Sequence, residues 1–314
     1  MRSRIPASGL RCLLWALAFA VSGAGGAEKA EPFTRGLLFR VDAPGKPPSW
    51  VFGTVHSNDP RVTALPDAVS DALAKSRRLA PEIFLSVGDL PDFFASAQFD
   101  DGRRLADYFD PATLAAIRAA LGVRAPPPQA FDHLKPWAIL LLLAQSPDAG
   151  AAPTLDEVLI DDARRRRMTV IGLELPEEQI ASLDTVPVAS QVALARWALA
   201  RRGDLAAENE AAITAWLAGD LAGLAALAAA PGRGDPALAA HLAQLTRHLV
   251  VNRSVLMAHR LFLPLREGRI FVAVGALHLY GRDGLLALIR AQGYRVRRVF
   301  RRRVQAAGEG RAKE

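Results

Sequence analysis

Two histidines in this chain share one local context. Ser49-Trp50-Val51-Phe52-Gly53-Thr54-Val55-His56 and Ile270-Phe271-Val272-Ala273-Val274-Gly275-Ala276-Leu277-His278 are each an apolar, strand-like run that ends in Gly-x-x-His. A strand that stops at a glycine and presents an imidazole just past its C-terminal end stands where open α/β sheets place ligand-binding groups. Imidazole is the commonest protein ligand for metals, and the glycine lets backbone or substrate come close. His56 and His278 lie near opposite ends of the chain, too far apart for one metal-binding helix, so only the fold can bring them together.

Carboxylates have to complete such a site. Glu82 sits within Leu79-Ala80-Pro81-Glu82-Ile83-Phe84-Leu85, and Glu174 closes the run Met168-Thr169-Val170-Ile171-Gly172-Leu173. A glutamate within or ending an apolar strand is costly to bury unless it is paired, hydrogen-bonded or metal-bound, which marks both. Each has a plainer reading too: Glu82 as an edge-strand residue facing water, Glu174 as a helix-capping acid ahead of Pro176-Glu177-Glu178-Gln179. Arg253 lies on a helix whose apolar face runs Leu249, Val250, Leu256 and Met257. Its guanidinium can meet a carboxylate of the sheet or charge that develops in a reaction, or it can be one of many exposed arginines. The chain has no Gly-x-Ser-x-Gly elbow, no phosphate-binding Gly-x-x-x-x-Gly-Lys, no dinucleotide fingerprint after a strand and no His-Glu-x-x-His. His133, His241, His248 and His259 lie in helical or loop contexts without a ligand pattern; His241 and His248, seven apart on one helix face, have a spacing open to a ligand pair but read rather as a polar stripe.

The elements that must position these groups form an α/β pattern. Gly36 to Val41 and Ser49 to Val55 read as a hairpin around Asp42-Ala43-Pro44-Gly45. A helix follows from about Leu65 to Arg77, then a strand from Arg78 to Leu85. Asp110-Pro111 opens a helix that Gly122 ends. The apolar run Ala138 to Ala144 after Lys135-Pro136-Trp137 is too short to span a bilayer and reads as a buried core helix. Thr154 and Glu157 form a capping box for a helix reaching about Arg167, directly before the strand Met168 to Leu173. Helical patterns then dominate, broken at Gly203-Asp204 and Gly219-Asp220, and a further helix runs from Pro236 to about Leu263. The chain closes with the second Gly-x-x-His unit, a helix from Gly284 to Gln292 and a strand from Tyr294 to Phe300. The expected fold is a central, mostly β-α-alternating sheet flanked by helices, with an all-helical insertion at about 187–267.

The first residues read as a leader. A basic start with Arg2, Arg4 and Arg11, the apolar core Leu13 to Val21 and the small residues Gly23 to Ala27 make a secretory signal peptide over 1–27. Its apolar core is short of the ~20 residues a bilayer span needs. The mature domain, 28–304, is therefore expected in the periplasm or secreted by a bacterium, without a stable membrane span. Cleavage removes Cys12, the one cysteine. That excludes disulfides, thiolate ligands and a cysteine nucleophile, so a metal has to be held by histidine and carboxylate. Positive charge gathers in Arg164 to Arg167, at a helix end, and from Arg295 onward, where few aromatics interleave; this speaks against nucleic-acid binding. Residues 305–314 read as a basic, disordered tail.

Taken together, these residues resemble the TraB/GumN family, which includes the Tiki Wnt-inactivating metalloproteases. Gly53-Thr54-Val55-His56 resembles the family's first motif and Val274-Gly275-Ala276-Leu277-His278-Leu279-Tyr280-Gly281-Arg282-Asp283-Gly284 its last. Lys135-Pro136-Trp137, Leu173-Glu174 with Glu178-Gln179, and Arg253 to Met257 resemble intermediate signatures in the right order. Ser254 departs from the pattern, standing where the family usually has Asn. The resemblance implies an exported metal-dependent hydrolase, a peptidase acting on a peptide or envelope component. His56 and His278 with Glu82 and Glu174 would hold a divalent ion, Mn²⁺, Co²⁺ or Zn²⁺. One glutamate would ligate or act as general base, and Arg253 would stabilise the oxyanion. The other reading is a non-catalytic periplasmic protein that binds haem, a peptide or an envelope component at the same cleft.

Overall fold

The computed structural model describes residues 30–84, 90–145 and 152–299; the expected leader over 1–27 and the tail over 305–314 lie outside the described residues. Six strands form one mixed sheet: β1 Leu38–Asp42, β2 Ser49–Thr54, β3 Arg78–Pro81, β4 Thr169–Val170, β5 Ile270–Gly275 and β6 Arg295–Arg298. Their order is β4-β3-β5-β2-β1-β6. The first four in that order run parallel, and β1 and β6 extend the sheet antiparallel. Strands of a parallel sheet are covered on both faces and so read as unbroken apolar runs, as β2 and β5 do. The β1–β2 hairpin forms as expected, with Gly45 at φ 66° in its turn.

Two strands are shorter than their sequences suggest. The run from Arg78 leaves the sheet at Pro81, so Glu82 stands just past the strand end. The run from Met168 yields a two-residue strand, although Ile171 N–H still reaches Leu79 O at 3.0 Å, Leu173 N–H reaches Pro81 O at 2.9 Å, and Glu174 N–H reaches Glu82 O at 2.7 Å. Gly172 lies at this departure, where a Cβ would come within 3.1 Å of Phe84 N and Glu174 O. The two chains therefore run side by side to their glutamates, which opposes Ile83 to Glu174 in a parallel bridge.

Helices build two apolar cores. One covers the sheet with Leu155, Leu159, Trp216, Met257, Leu261 and Leu285. The other contains no residue of the six strands and is built mainly from helices, among them Pro136–Ala144, whose residues are buried almost all round. The helical layer is drawn from more of the chain than the stretch 187–267. It takes Ala97 through Leu143 as well, while Ala212 to Ala228 pack on the sheet instead. Among the described residues no helix is long and apolar enough to cross a membrane.

One helix matters most for the strand ends. The expected continuous helix from Pro236 is in fact Pro236–Thr246, a π turn over Arg247–Val251, and Asn252–Glu267, with Pro264 inside it and Gly268 at φ 79° ending it. A π turn adds a residue to one turn and so rotates the face beyond it; such turns are frequent at functional sites. Here the rotated face carries Arg253 and Ser254 into the buried side of the helix.

Candidate active site

The C-terminal ends of the four parallel strands put the candidate residues in one row. Glu174 follows β4, Glu82 follows β3, His278 follows β5 in a short 3-10 turn, and His56 follows β2. Thr54 and Gly275 are register partners at the ends of β2 and β5, so the two Gly-x-x-His units leave the sheet side by side. Gly53 makes this possible. A Cβ there would sit 2.7 Å from Leu279 Cδ1 and 3.1 Å from Ala276 Cα, inside the turn that carries His278.

Both glutamates are deeply buried, Glu82 completely, and both meet Arg253. Arg253 Nε donates to Glu174 Oε1 and Oε2 at 3.0 Å each, and Nη2 donates to Glu174 Oε2 and Glu82 Oε2 at 2.6 Å each. Its Nη1 takes the Leu249 carbonyl, in the π turn, at 3.2 Å. Glu82 Oε1 accepts the Gly275 N–H at 2.5 Å. The edge-strand reading of Glu82 fails because β3 lies inside the sheet, between β4 and β5. The capping reading of Glu174 fails because Glu178 takes that part, accepting the Leu175 N–H at 2.8 Å. Burial disfavours the Arg253 charge, but the charges of Glu82 and Glu174 outweigh it and raise the guanidinium above its ordinary value. Burial pushes the Glu82 carboxyl up, against the Arg253 charge and the Gly275 N–H, and the nearby Asp156 carboxylate adds to the rise.

His278 is 2% exposed. Its Nδ1 shares a 2.9 Å hydrogen bond with Ser254 Oγ, and its Nε2 lies 3.5 Å from Glu82 Oε1. Burial, with the Arg253 charge beside it, pushes the imidazole down to about 3, so it is neutral at physiological pH. His56 lies toward the surface of the same row, with Nδ1 3.6 Å from Asp156 Oδ2. Three of the other four histidines serve elsewhere: His133 bonds Gln129 O, His241 Ser190 Oγ and His248 Thr185 Oγ1.

A sequence model of the TraB/PrgY/gumN family matches residues 37–298, a span that holds every one of these residues. The chain belongs to this family. No curated protein matches it. Within the TraB/PrgY/gumN frame, Ser254, the one visible departure from the expected motif, is the residue that engages His278.

Asp156 carries no mark in the sequence. It sits between the two residues of a capping box, Thr154 and Glu157, where an acid is ordinarily explained by the helix start itself. Only the Leu155 N–H to Ser57 O contact, 3.0 Å, reveals that this helix begins against the residue after His56.

The donor set fits a divalent cation in kind. Two buried carboxylates, Glu82 and Glu174, face one buried guanidinium with His278 beside Glu82, while a third, Asp156, is buried beside His56. Both imidazole–carboxylate separations, 3.5 and 3.6 Å, are long for hydrogen bonds. They are close to the ~3.4 Å between two ligand atoms each ~2.1 Å from one tetrahedral ion. Among the described residues, no group of three or more His, Cys, Asp or Glu side chains is close enough to hold an ion. The pairs stand as two halves.

Proposed function

We propose that this protein is an exported, metal-dependent hydrolase of the peptidase type. The observation that carries the reading is the surplus of buried carboxylate over buried cation beside two imidazoles, at the strand ends where α/β folds bind ligands. His56 and His278 would hold the ion, with Glu82 as the carboxylate beside His278. When bound, a divalent ion supplies Lewis acidity, polarising a scissile carbonyl and activating water at neutral pH. The chain's own residues do the rest. His278 is kept neutral and therefore able to donate its lone pair, with Ser254 fixing the ring through Nδ1. Glu82 is placed to ligate or to take the proton from the attacking water. Glu174 accepts Arg253 on both oxygens, so we place it second as a ligand and first as the group that aims the guanidinium. Arg253 has an Nη1 hydrogen to spare for a developing oxyanion. The substrate is a peptide or an envelope component. An N-terminus near Glu28 on protein recovered from the periplasm is the expected sign of export.

The test is metal content and turnover. Purified protein incubated with Mn²⁺, Co²⁺ or Zn²⁺ should retain about one ion or more per chain. His278→Gln should lose most of it, and a peptide library should be cleaved only by the loaded wild type. Equal, low metal content in both proteins, with no cleavage under supplementation, favours a protein that binds haem, a peptide or an envelope component without catalysis.

A further inference from the structure

We propose that the apolar groove between β1, β2 and the helices Asp67–Ala74 and Leu205–Leu217 is where this protein holds its peptide, taking a bulky apolar side chain with a carboxylate beside it. The inference rests on the peptidase reading and names the class of peptide that reading leaves open.

The groove continues the row of strand ends. β1 runs against β2 and β6 against β1, so β1 begins and β6 ends at the sheet edge where the four parallel strands finish. At that edge Gly53 N–H reaches Leu37 O and Val299 N–H reaches Leu38 O, each at 2.8 Å. Leu37, Leu38, Phe52, Val69, Trp216 and Val299 here line a groove of about 360 Å³. Small-ligand clefts run to ~300–1,000 Å³, so the space is enough for a large side chain and its neighbours. In strand order the groove comes directly after β2, the strand that delivers His56.

Its walls are tied to the first Gly-x-x-His unit. Trp216 Nε1 donates to Gly53 O at 2.9 Å, and its ring stands edge-on to Phe52 with centroids 6.1 Å apart. Gly36, at φ 107°, donates its N–H to Gly219 O at 2.7 Å, and a Cβ on Gly36 would collide with the Arg298 side chain. The main chains of Gly36 and Gly219 therefore close one wall themselves, with the Arg298 stem laid over Gly36. The charge along the groove has one sign. Arg35 and Arg298 line it, and no Asp or Glu does. An apolar space flanked by guanidinium groups suits a ligand with an apolar body and a carboxylate, which arginine meets with two parallel hydrogen bonds. A peptide with an aromatic or large aliphatic residue followed by an acid carries both. None of the groove's residues belongs to the network of Glu82, Glu174, Arg253 and His278, so holding the peptide is separable from the chemistry.

The test is binding without turnover. Fluorescein-labelled Gly-Ala-Phe-Asp-Ala-Gly, with twins that carry alanine for the phenylalanine or asparagine for the aspartate, is titrated by anisotropy into chelator-stripped mature protein. The variants are Ala68→Phe, which fills the groove from its helix, and Arg35→Glu, at an exposed position. Replacing the phenylalanine of the peptide, or filling the groove with Ala68→Phe, should weaken binding at least ~10-fold, the worth of one large apolar side chain. Replacing the aspartate, or Arg35→Glu, should cost ~3-fold, with the asparagine twin indifferent to Arg35→Glu. Equal binding of all three peptides overturns the inference, as does undiminished binding to Ala68→Phe. If Ala68→Phe does not fold, the decision passes to Arg35→Glu, and unchanged affinity for the aspartate peptide there overturns it. Phosphatidylglycerol vesicles that bind more tightly than the peptide and displace it would give the groove to a lipid, and also overturn it. Because no metal enters these titrations, a protein that binds the peptide as expected but takes up no Mn²⁺, Co²⁺ or Zn²⁺ and cleaves nothing sinks the hydrolase reading and leaves the peptide groove standing.

Discussion

The two Gly-x-x-His units are nearly the same in sequence and leave neighbouring, register-paired strands, yet their histidines stand in different surroundings. His278 is enclosed, with Ser254 on one nitrogen and Glu82 facing the other. His56 is partly open and faces Asp156, whose oxygens accept no hydrogen bond. The local motif fixes where an imidazole emerges from the sheet. What the imidazole can do is decided by residues delivered from elsewhere: Ser254 and Arg253 by one long helix, Asp156 by another. The His278 side is a finished polar network, and the His56 side carries the charge left over.

The comparison breaks most sharply at Arg253. Arg253→Leu keeps much of the volume but leaves Glu82 and Glu174 buried with no cation between them. Removing one partner of a buried ion pair costs about 3–5 kcal/mol, and urea unfolding of wild type and variant should show a loss of that size. A loss under ~1 kcal/mol would mean that the glutamates do not depend on Arg253, and the finished network would be the wrong description.

A smaller effect, on the order of 2–4 kcal/mol, is expected from pH on the His278 side. Unfolded, the imidazole takes a proton below its ordinary 6.5; folded, it refuses one until about 3. Between those values the unfolded chain binds the extra proton, so this contribution to stability is intact above pH 6.5 and is lost as pH falls toward 3. Glu82 acts in the opposite sense, because a carboxyl held above its ordinary 4.5 favours the fold at low pH and loses that advantage as pH rises through the shifted value. The His278 effect is therefore read as a difference. Denaturant stability of wild type should fall more steeply from pH 6.5 downward than that of His278→Gln, and parallel curves would show that His278 is not the buried neutral group described.

Much of this arrangement is legible in the sequence, for physical reasons that also explain what is not. The parallel strands are readable because strands covered on both faces are unbroken apolar runs, and the Thr154–Glu157 cap because it is a local hydrogen-bond pattern. His56, His278, Glu82, Glu174 and Arg253 stand out as polar groups in or beside apolar runs. Their mutual contacts are not readable, since Arg253 meets Glu82 only through the fold. The π turn at Arg247–Val251 leaves no mark because a one-residue insertion keeps the helical composition unchanged. Asp156 is hidden because a helix start already accounts for an acid there. The stretch 187–267 holds helices and no named strand, as its composition suggests, but composition does not say which core a helix joins: Trp216 donates to Gly53 O at 2.9 Å and packs its helix on the sheet.

The finest test of the comparison lies at Ser254. Ser254→Ala removes the hydroxyl that meets His278 Nδ1 and leaves that nitrogen buried without its partner, a loss of roughly 1 kcal/mol. Such a loss alone could reflect the hydroxyl in any role, so it has to be measured in a cycle with His278→Gln. If Ser254 acts by holding the ring, the Ser254→Ala cost largely vanishes once the imidazole is gone, giving a coupling of about 1 kcal/mol. Additive effects would mean that Ser254 serves the helix rather than the histidine. The same logic applied across the row, with Ser254→Ala against Asp156→Asn, should give additivity, because the finished network around His278 and the unbalanced charge beside His56 share no hydrogen bond. Strong coupling there would join the two histidines into one network and erase the distinction between them.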